Sequence, residues 1–194
     1  MTGILRSIAK LFRGGGHDQF FAAPYPSAIT SSQSPREIIQ ADYPHLNGGR
    51  GLPIRGGWGY TKKDACIIGR DDPPVDPDLP LDFLGVEREF VEKRIYEEMI
   101  IFRPRGNGYS GIQWNLKRQA LIRQGVRSYD HLIFEISAFR DEDWLALKQE
   151  FEGPDGAQAP DFDMADHLRR REALCLRFNR EFWFDITEKF RRSA

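Results

Sequence analysis

The sequence predicts an α+β fold: one domain built on a central antiparallel meander, with helices packed on one face, preceded by a flexible N-terminal extension. Three observations predict it. Over Ile112–Ile122 the residues alternate, with Ile112, Trp114, Leu116, Ala120 and Ile122 on one side and Gln113, Asn115, Lys117 and Gln119 on the other. Leu132, Phe134, Ile136 and Ala138 then alternate in the same way with His131, Ile133, Glu135 and Ser137. Successive strand side chains point to opposite faces, so both runs describe a sheet with one apolar and one polar side. The third observation is the apolar run Met99–Phe102, ended by the turn-rich Arg103-Pro104-Arg105-Gly106-Asn107-Gly108, which reads as a short first strand. On this reading Trp114 and Phe134 are core residues.

The remaining elements follow in chain order. In residues 1–13, Ile4, Leu5, Ile8, Leu11 and Phe12 recur at the spacing of one helical face, with Arg6, Lys10 and Arg13 between them. Gly14-Gly15-Gly16 ends that helix. Two readings stand: a terminal helix docked on the domain, or a basic amphipathic helix that lies on a membrane surface or in a partner's groove. A secretory signal fits poorly, because Arg6 and Lys10 interrupt the apolar core such a signal needs. A stretch rich in Ala, Pro, Ser and Gln follows and reads as a tether, so residues 1–33 form the extension and 34–194 the domain. Ser34 as cap, Pro35 at the first position, and Ile38 and Ile39 facing inward predict a short helix that Pro44 stops.

Asn47–Tyr60 is dense in glycine, with Arg50 and Arg55 interspersed, yet its spacing fits neither phosphate-loop pattern. It reads first as a tight loop needing positive backbone angles, and second as a phosphate cradle using Arg50, Arg55, Gly56 and Gly57. Thr61 caps a single helical turn that leads into the apolar Ala65–Ile68. Asp71, Asp72, Asp76, Asp78 and Asp82 then share a stretch stiffened by four prolines. The ligand spacing of a calcium loop is missing, and the segment reads as an extended acidic connector suited to a basic partner. Residues 86–98 suit a helix that enters a strand near Tyr96, while Val91, Ile95 and Met99 also fit one face of a strand running into Met99–Phe102. Asp141-Glu142-Asp143 opens a helix with Trp144, Leu147 and Phe151 inward, and Asp163 caps another carrying His167. Phe178, Phe182, Phe184 and Ile186 predict a last strand added to the sheet.

Bulk properties bound the function. The 194 residues carry 28 basic and 29 acidic side chains, so no global charge draws the chain to nucleic acid. No run approaches the ~20 apolar residues that span a bilayer. The two cysteines, Cys66 and Cys175, read as free thiols of a reducing cytoplasm. The four histidines, His17, His45, His131 and His167, lack partners at metal-ligand spacing, and neither a nucleophile motif nor a cofactor motif is present. The basic cluster Arg169-Arg170-Arg171 reads as a solvated helix face. The expected function is therefore a small cytoplasmic protein-binding module. It would dock a partner, one of basic character, and inhibit or escort it, as bacterial immunity-type proteins do. Asp71, Asp72, Asp76, Asp78 and Asp82 are its expected contact residues. The alternative is an enzyme acting on a phosphorylated or nucleotide substrate through loop 47–60. No metal or cofactor is expected under the first reading, and residues 1–13 can add a peripheral membrane contact.

Overall fold

The computed structural model describes residues 29, 31–42, 44–45, 51–69, 83–154 and 156–190. The N-terminal segment 1–13 and the acidic stretch 71–82 lie outside them.

Helix α1 (Pro35–Asp42) starts where the cap chemistry demands. The Glu37 amide donates to Ser34 Oγ, while the Glu37 carboxylate accepts from the Ser34 amide at 2.7 Å, a reciprocal capping box. The Ser34 amide and the Ser34 hydroxyl, which donates to the same carboxylate at 2.9 Å, hold the Glu37 carboxyl below its ordinary range. Ile38 and Ile39 are buried, as the spacing predicts. The short strand β1 (Ile54–Gly56) pairs antiparallel with β2 (Cys66–Ile68), and the single 3-10 turn Lys62–Asp64 between them is capped by Thr61. Helix α2 (Phe83–Tyr96) continues into a wider π-helical turn, Glu97–Ile101. The long hairpin β3 (Tyr109–Gln124) and β4 (Arg127–Arg140) follows, then α3 (Asp141–Glu152), α4 (Met164–Leu174), β5 (Leu176–Asp185) and the short α5 (Thr187–Phe190). Asp163 caps α4 by accepting from the Asp166 amide at 2.9 Å.

The five strands form one sheet in the order β1-β2-β5-β4-β3. It is mixed, because β2 runs parallel to β5 while every other pair is antiparallel. Leu132, Phe134, Ile136 and Ala138 of β4 and Phe178, Phe182 and Phe184 of β5 share one buried face. Phe90, Val91, Ile95 and Met99 cover it together with Ile54, Ile68 and the α1 isoleucines. Edge-to-face contacts between Phe90 and Phe184 (5.5 Å) and between Phe134 and Phe182 (5.6 Å) fix the layers.

Three sequence expectations change. Met99–Phe102 is not a strand: the helical run persists through it, so the sheet is no simple meander and takes β5 as its third antiparallel strand. The residues Ile112–Ile122 do not all share one face. A bulge at Lys117 places two residues against one, so Trp114 and Leu116 oppose Ile136 and Phe134, whereas Ala120 and Ile122 oppose His131 and Tyr129 on the other face. Helices are also not confined to one face. Phe139 stands opposite in parity to Ala138 and packs on Trp144 of α3 (5.2 Å) and beneath Arg171 of α4. A second bulge makes room there. At Gly111 φ is +62°, and a Cβ would lie 2.7 Å from the Trp144 ring.

Candidate functional site

An exposed apolar turn stands at the end of α2. Phe90, Val91, Arg94, Ile95, Glu98 and Met99 recur at helical spacing and all turn inward. At the last turn the Phe102 amide reaches five residues back, to the Glu97 carbonyl at 3.0 Å, so the turn holds one more residue than an α-helix allows. That extra residue shifts the apolar run off the buried face. Ile100, Ile101 and Phe102 are 42%, 58% and 43% exposed, although Glu97 and Met99 beside them are sealed. Arg103 and Arg105 follow, and the Arg103 guanidinium is tied back to the Glu98 carbonyl at 2.9 Å.

Beneath this turn lies a buried ionic base. Arg94 is 1% exposed. Its Nε donates to Glu98 Oε1 at 2.9 Å, Nη1 to the Trp58 carbonyl at 2.9 Å and Nη2 to the Glu181 carbonyl at 3.0 Å. The guanidinium plane is held between the rings of Tyr60 (3.9 Å) and Phe182 (4.1 Å). Glu98 Oε2 takes a second guanidinium, Arg180 Nε at 2.9 Å. One carboxylate thus joins α2, β5 and, through Arg94, the glycine-rich loop. Burial and the Glu98 carboxylate push the Tyr60 phenol well above its ordinary range, so it stays neutral, and its oxygen accepts from the Ile29 amide at 2.6 Å. One residue earlier in the helix, Lys93 bridges Asp42 of α1 and Glu97, the latter at 2.8 Å. The Lys93 bond holds the Asp42 carboxyl below its ordinary range, whereas burial raises that of Glu97. Lys93, Arg94, Glu97 and Glu98 are thus buried and paired at the foot of the apolar turn.

The glycine-rich loop carries a different message. Gly51, Gly56 and Gly59 all have φ between +70° and +83°, the left-handed region the tight-loop reading requires. Its amides bond inside the protein: Gly57 to the Ala65 carbonyl (3.2 Å), Trp58 to Asp64 Oδ2 (3.1 Å) and Gly59 to the Asp64 carbonyl (2.6 Å). The Gly59 carbonyl in turn accepts from the Trp183 amide at 3.0 Å, stitching the loop to β5. Arg55 is paired with Glu188 of α5, and Arg50 lies outside the described residues. Of the residues expected for a phosphate cradle, the Arg55 guanidinium and the Gly57 amide are thus engaged within the protein.

The remaining candidates are dispersed. His131 stacks on Trp183 at 3.9 Å and meets Glu181 at 3.1 Å on the polar sheet face. His167 is buried between Phe151 and Phe162, 3.4 Å from Glu150. Both cysteines are free, and burial pushes both thiols above their ordinary range. Among the described residues no group of His, Cys, Asp and Glu could hold a metal, and no helix is long and apolar enough to cross a membrane. Asp71, Asp72, Asp76, Asp78 and Asp82, like Ile4, Leu5, Ile8, Leu11 and Phe12, fall outside the described segments. Sequence reasoning missed the apolar turn and its base. The one available signal was Arg94 and Glu98 at i,i+4, facing the same way as Phe90, Val91 and Ile95.

Comparison with protein-family models, with curated proteins and with solved structures finds no match for this chain.

Proposed function

We propose that the chain is a protein-binding module that docks one protein partner and inhibits or escorts it, in the manner of immunity-type proteins. The observation that carries the reading is the exposed Ile100-Ile101-Phe102 turn, held on a buried ionic base and followed by Arg103 and Arg105. Interface hot spots favour aromatic and arginine anchors on surfaces already held in shape, because pre-ordering lowers the entropic cost of association. An apolar turn kept outside the core against the hydrophobic effect has a use if a partner covers it. Asp71, Asp72, Asp76, Asp78 and Asp82 complete the proposal as a charged rim that steers a basic partner, an effect on association rate that salt weakens. Residues 1–13 supply a further contact, with the partner or with an anionic membrane. The Gly57, Trp58 and Gly59 amides are engaged within the protein, so the phosphate- or nucleotide-binding alternative draws no support from them.

The test is affinity purification of the tagged chain from its native cells, alongside Ile101→Asp. Recovery of one stoichiometric protein with the unaltered chain, and its loss with Ile101→Asp, supports the reading. A partner retained equally by both moves the interface away from the turn, and a retained metabolite in place of a protein overturns the reading.

A further inference from the structure

The bulge at Lys117 has a second consequence, at the other end of the hairpin. It sets Gln119, Leu121 and Arg123 on the face that carries Leu132, where they oppose Leu132, Asp130 and Ser128. Leu116 and Leu121 are about half exposed there, as is Phe190 of α5, over which the Arg123 guanidinium stands at 5.8 Å. Asp130 lies directly across from Leu121 and is 7% exposed. Gln119 Nε2 donates to its Oδ2 at 2.5 Å, and Oδ1 has no donor among the described residues. An ionised carboxylate accepts only, and a buried oxygen left without a donor is costly, so native proteins satisfy such groups or use them. A cation is the donor that satisfies a carboxylate best.

We propose that Asp130, with the apolar rim Leu116, Leu121 and Phe190, is a docking seat for a lysine or arginine side chain carried on an apolar segment of the protein partner. Charge complementarity selects this occupant. A neutral apolar segment would cover the rim and leave the carboxylate unmatched, and an anionic one would be repelled. Gln119 is exposed and bound to Asp130 through one oxygen, so it closes the seat and swings aside when the cation arrives. Arg123 marks the rim rather than the floor, because its guanidinium faces Phe190. The inference rests on the protein-binding reading and names the chemistry of the partner, but it does not use the Ile100–Phe102 turn.

The experiment is an NMR titration of the full chain with the peptide acetyl-Leu-Lys-Leu-amide. The expected result is saturable shifts of the Asp130 side-chain carboxyl and the Leu121 methyls. Replacing the lysine by norleucine, or changing Asp130→Asn, should weaken binding at least tenfold. Ile101→Asp should leave peptide binding as it was, so failure of the apolar turn as an interface is read separately. No saturable shift up to roughly 10 mM peptide would overturn the proposal, as would equal binding of the norleucine peptide. So would movement of the Asp130 signals in Arg6→Gln/Lys10→Gln/Arg13→Gln, because the chain's own basic segment would then be the occupant.

Discussion

Replacing Arg94 by methionine tests the buried base. Methionine keeps the length of the side chain, and between Tyr60 and Phe182 it retains much of the packing. What it removes is the donor set. The Trp58 and Glu181 carbonyls lose the guanidinium that reaches them at 2.9 and 3.0 Å, at about 1–3 kcal/mol for each buried acceptor left unmatched. Glu98 keeps Arg180 at 2.9 Å, so its loss falls short of a wholly stranded charge. A net cost of about 3–5 kcal/mol follows, in line with breaking one partner of a buried pair. Against a total stability of about 5–15 kcal/mol that is severe. Urea unfolding followed by tryptophan fluorescence should show the midpoint falling by ~2 M at an ordinary slope. The double variant Arg94→Met/Glu98→Met should cost less than the two single changes added, because the groups share one network. A loss below about 1 kcal/mol for Arg94→Met would refute the reasoning and leave the apolar turn without its base.

Three further outcomes are expected. Phe134→Ala should cost about 3–5 kcal/mol in the same assay, and Trp114→Ala less, since Trp114 is only partly buried against the core. Gly59→Ala should destabilise several times more than Gly106→Ala. Both have positive φ, but a Cβ at Gly59 lies 2.9 Å from the Trp183 carbonyl oxygen while at Gly106 it meets nothing within 4 Å, and thermal melts of the pair would show the difference. Asp42→Asn should cost about 0.5–1 kcal/mol at neutral pH, a modest figure because the carboxylate is well exposed. The folded Asp42 is held below its ordinary value of 3.8, chiefly by the Lys93 bond, so this stability is present above the unfolded value and lost as pH falls through the folded one. Melts of the two proteins should therefore converge in acid, and a constant gap down to pH 2 would contradict the assignment.

Much of the fold is legible where a rule is local. Ser34 and Asp163 announce α1 and α4 because cap hydrogen bonds span only three residues. β4 and β5 are legible because their apolar alternation is unbroken from Leu132 to Ala138 and runs from Phe178 to Phe184 with Arg180 as its one interruption. The failures share one physical cause, the insertion of a single residue into a periodic element. At Lys117 a bulge flips Ala120 and Ile122 to the other face, and at Glu97–Ile101 a widened turn carries an apolar run to the surface that reads in sequence as a strand. The parallel pairing of β2 with β5 joins Cys66 to Phe184, and no local pattern encodes it. The candidate site was illegible for a further reason. Nothing local in the sequence joins Arg180 to Arg94 and Glu98, and only their convergence in the fold makes them a base.

The most direct test of the central claim is a calorimetric titration of the purified chain with the partner that co-purifies with it, repeated with Ile101→Asp. The account predicts a one-to-one complex whose affinity falls at least a hundredfold with that change, about 2.7 kcal/mol of binding free energy and the size of a hot spot. An affinity unchanged by an aspartate at the most exposed position of the turn would contradict it.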